Sequence, residues 1–468
     1  MKPRNLVVLT VVVAVFAAFI LFYERHQPTT EEVRQRADKV FPDLERDQVQ
    51  TLAIHNSHGD FTLVKKDGEW RLTAPIDFPA DSSAVSSVLG TLTSLKEERR
   101  LQPSEVEAGA YGLDSPPIKV TATTQKGASY DLAVGEETPL GSKRAVRRDD
   151  DKDILLCAGW FVKDIDKPLD DWRSRSVLDV SADQVASLQV VSGKDHIQVA
   201  KEGELWKLLE PVKDLADRDQ VRGLINDLDG LRVEEFVDGQ EVQTGALGLD
   251  TPAFRVTVIR DEGQAPVELD FGATRKKDDA TQIACRRSGS EVFWVKDDIS
   301  TRLAKAPVRW RSPKVFPFDT WNVDKLSLSE GQEKVAVARA EGLWKTTAGE
   351  EADGSAVQQR LSSLAGLDAK EYDLVQPATA KMGQATVELR APGADASAAP
   401  TTVTYTFYRP LTQGGDAMVT VSARSTVMSV DAAAAEKILA DPSALSAPQP
   451  EPTTTPAEQG AAGARSQH

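Results

Sequence analysis

The feature that most restricts what this chain can fold into is an internal repeat. Trp70 in "GEWRLTAP" is matched by Trp206 in "GELWKLLEP" 136 residues later, and by Trp344 in "EGLWKTT" 138 further on. Asp81 and Asp217 keep the first offset, as do "YGLDSP" at 111–116 and "LGLDTP" at 247–252. "VKDI" at 162–165 returns as "VKDDI" at 295–299, and "WRSRSVL" at 172–178 returns as "WRSPKVF" at 310–316. A period this long exceeds any single supersecondary unit of a solenoid, so it describes tandem domains. We place units at 47–180, 181–320 and 321–443, the third being the most divergent. For a 468-residue chain with 40% hydrophobic content, these are domains of ordinary size, each able to bury a core.

Each unit opens with an alternating strand in which Leu52 and Ile54, Leu188 and Val190, or Leu326 and Leu328 share one face. A second strand, a Gly-containing turn and a short Trp-bearing strand follow. Then comes a capped helix. Asp81 precedes Val85, Val88, Leu89, Leu92 and Leu95; Asp217 or Asp219 precedes Val221, Leu224, Ile225, Leu228 and Leu231; Asp353 precedes Val357, Leu361, Leu364 and Leu367. This spacing gives one apolar stripe per helix, with the sheet as its partner. Three or four further strands complete the unit, at Ile118 to Thr124, Tyr130 to Val134, Arg144 to Arg148 and Ile154 to Cys157 in the first. Helices are too few for parallel crossovers, so the fold class is α+β: tandem units, each a mainly antiparallel sheet with one packed amphipathic helix.

The chain starts with Lys2 and Arg4 and then an apolar run from Leu6 to Phe22, interrupted only by Thr10, with Tyr23 after it. At about 1.5 Å per residue the run crosses a hydrocarbon core roughly 30 Å thick. A cleaved signal peptide is the alternative, but no small-x-small site follows the run. The expectation is an uncleaved transmembrane anchor at 6–23 in the cytoplasmic membrane, residues 1–5 inside and the bulk of the chain extracytoplasmic. Residues 24–46, charged and mostly polar, read as a stalk with Glu31 to Lys39 as a short helix. Residues 444–468, rich in Pro, Ala, Thr and Gln, read as a disordered tail.

A net charge of −16 spread along the chain opposes binding to nucleic acid. The two cysteines, Cys157 and Cys285, fall in different units and imply neither a disulfide framework nor a thiolate metal site. The recurrent Trp reads as a core plug, with stacking on a glycan ring as the alternative. Gly-Leu-Asp-x-Pro is turn chemistry: Gly112 or Gly248 takes a backbone angle other residues avoid, Asp114 or Asp250 caps local amides, and Pro116 or Pro252 sets the next strand's entry. Trp172, Arg173, Trp310 and Arg311 stand just before unit boundaries and read as inter-unit packing, with contact to a partner as the alternative. "GEETPLGSK" at 135–143 has the wrong glycine and lysine spacing for a phosphate loop. The acidic turn at Asp149, Asp150, Asp151 and Asp153 has no counterpart at Ser288, Gly289 and Ser290. His55 and His58 have none at Val191 and Ser329. No catalytic, cofactor-binding or metal residue is assigned, and no nucleophile elbow or zinc-protease motif is present.

With an anchor, a Trp before a capped helix, "YGLDSPPIKV" and "VGEETPLG", the chain resembles the bacterial domain-of-unknown-function family 4340. Unit two departs from the Gly-x-x-Thr-Pro loop at "FGATRKKDD", and unit three lacks both that loop and Gly-Leu-Asp-x-Pro. The resemblance implies gene neighbours that encode a gliding-motility-type ABC transporter and its auxiliary membrane protein. The expected function is therefore a non-enzymatic, membrane-anchored scaffold or adaptor whose partners are the bilayer, through residues 6–23, and transporter subunits. The alternative is a cell-wall glycan-binding protein or a glycan hydrolase.

Overall fold

The computed structural model describes residues 38–138, 142–239, 244–260, 264–288, 291–375, 381–390, 399–410 and 412–446. The expected anchor at 6–23 lies outside them, and among the described residues no helix is long and apolar enough to cross a membrane. The chain divides into two compact bodies, one up to Arg175 and one from Ser176. The fold is α+β: three sheets, mostly antiparallel, with few helices.

The first body holds β1 (Val49–Asn56), β2 (Gly59–Lys66), β3 (Glu69–Ala74), β4 (Phe78–Pro79), β5 (Arg99–Leu101), β6 (Ile118–Thr124), β7 (Ser129–Glu137), β8 (Lys143–Arg148) and β9 (Ile154–Ala158). They form one sheet in the order β4-β3-β2-β1-β6-β7-β8-β9-β5. Alternation puts Leu52 and Ile54 inward and Ala53 and His55 outward. A register shift between Val49 and Thr51 turns Val49 inward as well. The helix Ser82–Ser94 follows β4 and precedes β5, so it joins the two opposite edges of the sheet. Asp81, the expected cap, accepts from the Ala84 amide at 2.7 Å, and Val85, Val88, Leu89 and Leu92 are buried in the sheet's core. Such a cap contributes about 1 kcal/mol.

The second body repeats this plan. Strands β10 (Val185–Ser192), β11 (Asp195–Glu202), β12 (Leu205–Glu210), β13 (Asp214–Leu215), β14 (Val233–Val237), β15 (Phe254–Arg260), β16 (Val267–Lys277), β17 (Ala280–Arg287) and β18 (Glu291–Lys296) take the order β13-β12-β11-β10-β15-β16-β17-β18-β14. This is the topology of the first sheet, strand for strand. The third sheet has β19 (Val323–Glu330), β20 (Glu333–Ala340), β21 (Leu343–Thr346), β22 (Lys381–Leu389), β23 (Thr401–Tyr408), β24 (Ala417–Val421) and β25 (Val427–Val430), ordered β21-β20-β19-β22-β23-β24-β25. The register shift of β1 recurs in β10 at Val185/Ser187 and in β19 at Val323/Lys325. Helices Arg218–Gly230 and Gly354–Ala365 are capped by Asp217 and Asp353, and a further helix, Ala432–Leu439, packs into the third core.

The expected starts of the repeats and of the tail move. Val40, Phe41 and Leu44, read as stalk, are buried in the first core, and the Val40 amide donates to Leu95 O at the end of the helix. The same bond joins Val177 to Leu231 and Val315 to Leu367, so each repeat opens on this Val, several residues before its first strand. At the other end Leu445, read as tail, is fully buried and accepts from the Asp353 amide; too little apolar sequence surrounds it to announce a core position. The remainder of the expected tail, 447–468, lies outside the described residues.

Candidate functional site

The recurrent Trp side chains point into cores. Trp206 and Trp344 are 5% and 7% exposed, and Trp70 packs against the first core. Gly112 and Gly248 have φ of 71° and 66°, the left-handed region their turns were expected to need. His55 pairs with Asp60 at 2.7 Å. In the acidic turn Asp149 accepts from the Asp131 amide and Asp151 pairs with Arg148. Among the described residues no three His, Cys, Asp or Glu side chains meet as a metal-holding group. Both cysteines are free and buried, and burial pushes the Cys157 thiol up to about 12.

The structure joins the two family-type motifs into one contact. Gly135 opens "GEET" and Gly112 lies in "YGLD"; a Cβ on Gly135 would stand 2.1 Å from Tyr111 O, and one on Gly112 would stand 3.0 Å from the Glu136 side chain. Gly272 and Gly248 repeat this at 2.2 Å from Leu247 O and 2.9 Å from Ala273 N. The strand that carries the glycine, β7 or β16, is bulged at both places, between Val134 and Glu137 and between Phe271 and Thr274. In the third repeat the corresponding β23–β24 pairing runs without a shift. The turn and the glycine strand therefore occur together or not at all.

Among the described residues, the second body holds a buried charge cluster. Trp310 and Arg311, expected at a boundary, are 0% and 6% exposed. The Arg311 Nε donates to Asp214 Oδ2 at 2.6 Å, and its two Nη atoms reach Asp373 at 2.5 and 3.1 Å. From the third repeat Arg424 grips Asp214 with Nε at 2.6 Å and Nη2 at 2.8 Å, while Nη1 donates to Lys314 O and Val315 O. The Asp214 and Arg424 side chains are 1% and 0% exposed. Tyr372 lies beneath both guanidinium groups, 4.3 Å from Arg311 and 5.7 Å from Arg424, and its hydroxyl donates to Ser312 O. Two cations thus meet two anions, one pair drawn from each side of the repeat boundary. In the first repeat, 136 residues earlier, Phe78 holds the place of Asp214, and Arg173 sits 4.7 Å over its ring. The arginine position thus meets an aromatic ring at this place in one copy and a carboxylate in the other.

Burial alone would raise the Asp214 carboxyl, but the bonds and charge of Arg424, the Leu215 amide and Arg311 outweigh it and hold the group below the usual carboxylate range. A carboxylate depressed in the folded state contributes stability that is complete above its unfolded value of about 3.9 and is lost as pH falls through the lower folded value. The stability gap between wild type and Asp214→Asn is therefore expected to be constant near neutrality and to close below about pH 4. Urea titrations from pH 7 down to pH 2.5 measure it, and a gap as wide at the acid end would contradict the assignment.

Asp214, Asp373 and Arg424 were missed by sequence reasoning because 210 residues separate Asp214 from Arg424. The available signal was a carboxylate where the first copy has Phe78.

A family model described as Domain of unknown function (DUF4340) matches residues 70–241 and again 206–392. No curated protein matches. Among solved structures, the DNA polymerase III subunit beta from Pseudomonas aeruginosa is 11% identical, covering 86% of this chain and 97% of that one, with a TM-score of 0.16, a superposition too loose to carry an argument.

Proposed function

The chain belongs to the DUF4340 family, and on that premise we propose that it is a non-enzymatic scaffold or adaptor, anchored in the cytoplasmic membrane by residues 6–23 with its repeats outside, and accessory to a gliding-type ABC transporter. One observation carries the reading: what the repeats hold in common is packing. Trp172 and Trp310 fill equivalent core positions, Gly135 and Gly272 make equivalent backbone contacts, and in the second body Arg311 and Arg424 are bound to Asp214 inside the fold. Side chains locked in this way are poor candidates for turnover, because acid–base and nucleophilic groups must reach a substrate. Each helix-backed sheet instead offers a stiff module, and modules in series suit a protein that holds others in place. Affinity purification of the solubilised full-length chain should recover transporter subunits, and protease added to spheroplasts should digest the repeats. Recovery of the chain alone from repeated preparations, or complete protection of the repeats, would count against the proposal.

A further inference from the structure

The seam between the second and third repeats is built from positions that recur in the other copies. On the side given by the second repeat, Lys207 pairs with Leu215 and Leu208 with Asp214 across β12 and β13. In the third repeat Lys345 bridges to Glu351, and the Thr346 amide donates to Glu350 O. Glu350 and Glu351 therefore hold the places of Asp214 and Leu215, and Leu343 that of Leu205, one residue before the recurrent Trp. Leu205 and Leu215 pack against the third core, and Asp214 is taken up by two guanidinium groups. Their three counterparts are exposed, Leu343 by 50%.

The receiving side recurs as well. Arg424 Nη1 donates to Val315 O, the residue on which the third repeat opens, and Tyr372 lies beneath its guanidinium. In the first repeat Arg148 Nη1 donates to Val40 O at 2.7 Å, the same contact with the opening Val. The Lys370 and Glu98 amides donate to Ser429 O and Leu156 O, so two residues further on Arg100 stands where the third repeat has Tyr372. The first repeat thus offers two guanidinium groups, Arg148 partly exposed and Arg100 exposed. Asp151 and Asp153 hold them at 3.4 Å, and Glu97 holds Arg100 at 2.7 Å. Pairs this open to water contribute little and are readily exchanged for another carboxylate. Asp149 and Asp150 in the adjoining turn oppose an incoming acid, which makes the contact a weak one. Two anions beside a leucine on one face, and two cations on the other, repeat the charge balance of the seam in which Arg311 and Arg424 meet Asp214 and Asp373.

We propose that the face formed by Leu343, Glu350 and Glu351 docks on the Arg100 and Arg148 face of a second copy of this chain, so that copies associate head to tail. Such a contact is heterologous and leaves one face of each kind unused, so assemblies grow with concentration. Sedimentation velocity of the solubilised full-length chain from about 1 to 100 μM tests it. The average mass should rise over that range and fall back in about 0.5 M salt, because the charges that meet are surface charges. Glu350→Lys combined with Glu351→Lys should stay monomeric with its unfolding midpoint kept, since both side chains are exposed. Arg100→Glu should stay monomeric too. Mixed one to one, the two variants should regain at least about half of the wild-type rise in mass, because the new lysines meet the new glutamate. A monomer at every concentration, association that either variant keeps, or a mixture no heavier than its parts overturns the proposal. Recovery of transporter subunits is a separate measurement, and none of these outcomes bears on it.

Discussion

Asp214→Asn is expected to destabilise the second body by roughly 3–5 kcal/mol and to leave the first body unchanged. The variant keeps one carbonyl acceptor but loses the charge that faces two guanidinium groups. Arg424, with 0% side-chain exposure, cannot turn to water. An uncompensated buried cation is the costly outcome, whereas the intact ion pair need contribute little beyond an apolar replacement. The first repeat supplies that replacement, since Phe78 stands where Asp214 does. Asp214→Phe combined with Arg424→Met is therefore expected to recover most of the loss. Urea unfolding, followed by exchange at peptides from each body, separates the two transitions. A cost under about 1 kcal/mol for Asp214→Asn would mean that the cluster is not what joins the second and third repeats.

The repeat period was legible because its landmarks are rare residues that local chemistry demands. Trp fills a large core site, Gly adopts positive φ, and Asp caps a helix, so all three survive in register. Asp81 and Asp353 accept from first-turn amides as the spacing expects, and of the two candidates Asp217 and Asp219 the structure selects Asp217. The start of the repeat was missed although "KVFP" occurs at both 39–42 and 314–317. Val40 and Phe41 are flanked by charges, and two apolar residues in such company resemble a spacer until the Val40 to Leu95 bond is seen. The charge cluster was hidden for a different reason. Polar residues give no periodicity, and the partners of Asp214 are brought to it by sheet order and not by spacing.

Gly272→Ala should remove roughly 3 kcal/mol from the second body, and Gly135→Ala a similar amount from the first. The added methyl on Gly272 meets Leu247 O at 2.2 Å, Gly248 C at 3.0 Å and Leu249 Cδ2 at 3.0 Å. The first two are backbone atoms of a turn in which Gly248 is held at φ 66°, so they cannot swing aside as a side chain would. Relief requires separating the turn from the bulged strand, which also breaks the bond from the Ala273 amide to Leu247 O, 2.7 Å long. Gly90 provides the contrast. It lies in the helix Ser82–Ser94 with nothing within 4 Å of an added Cβ, so Gly90→Ala should stabilise the first body by about 0.5–1 kcal/mol. If Gly272→Ala and Gly90→Ala shifted their unfolding midpoints alike, the link between the two signature motifs would be coincidental. If they diverge as expected, the family pattern marks where a turn and a strand must touch without a side chain between them.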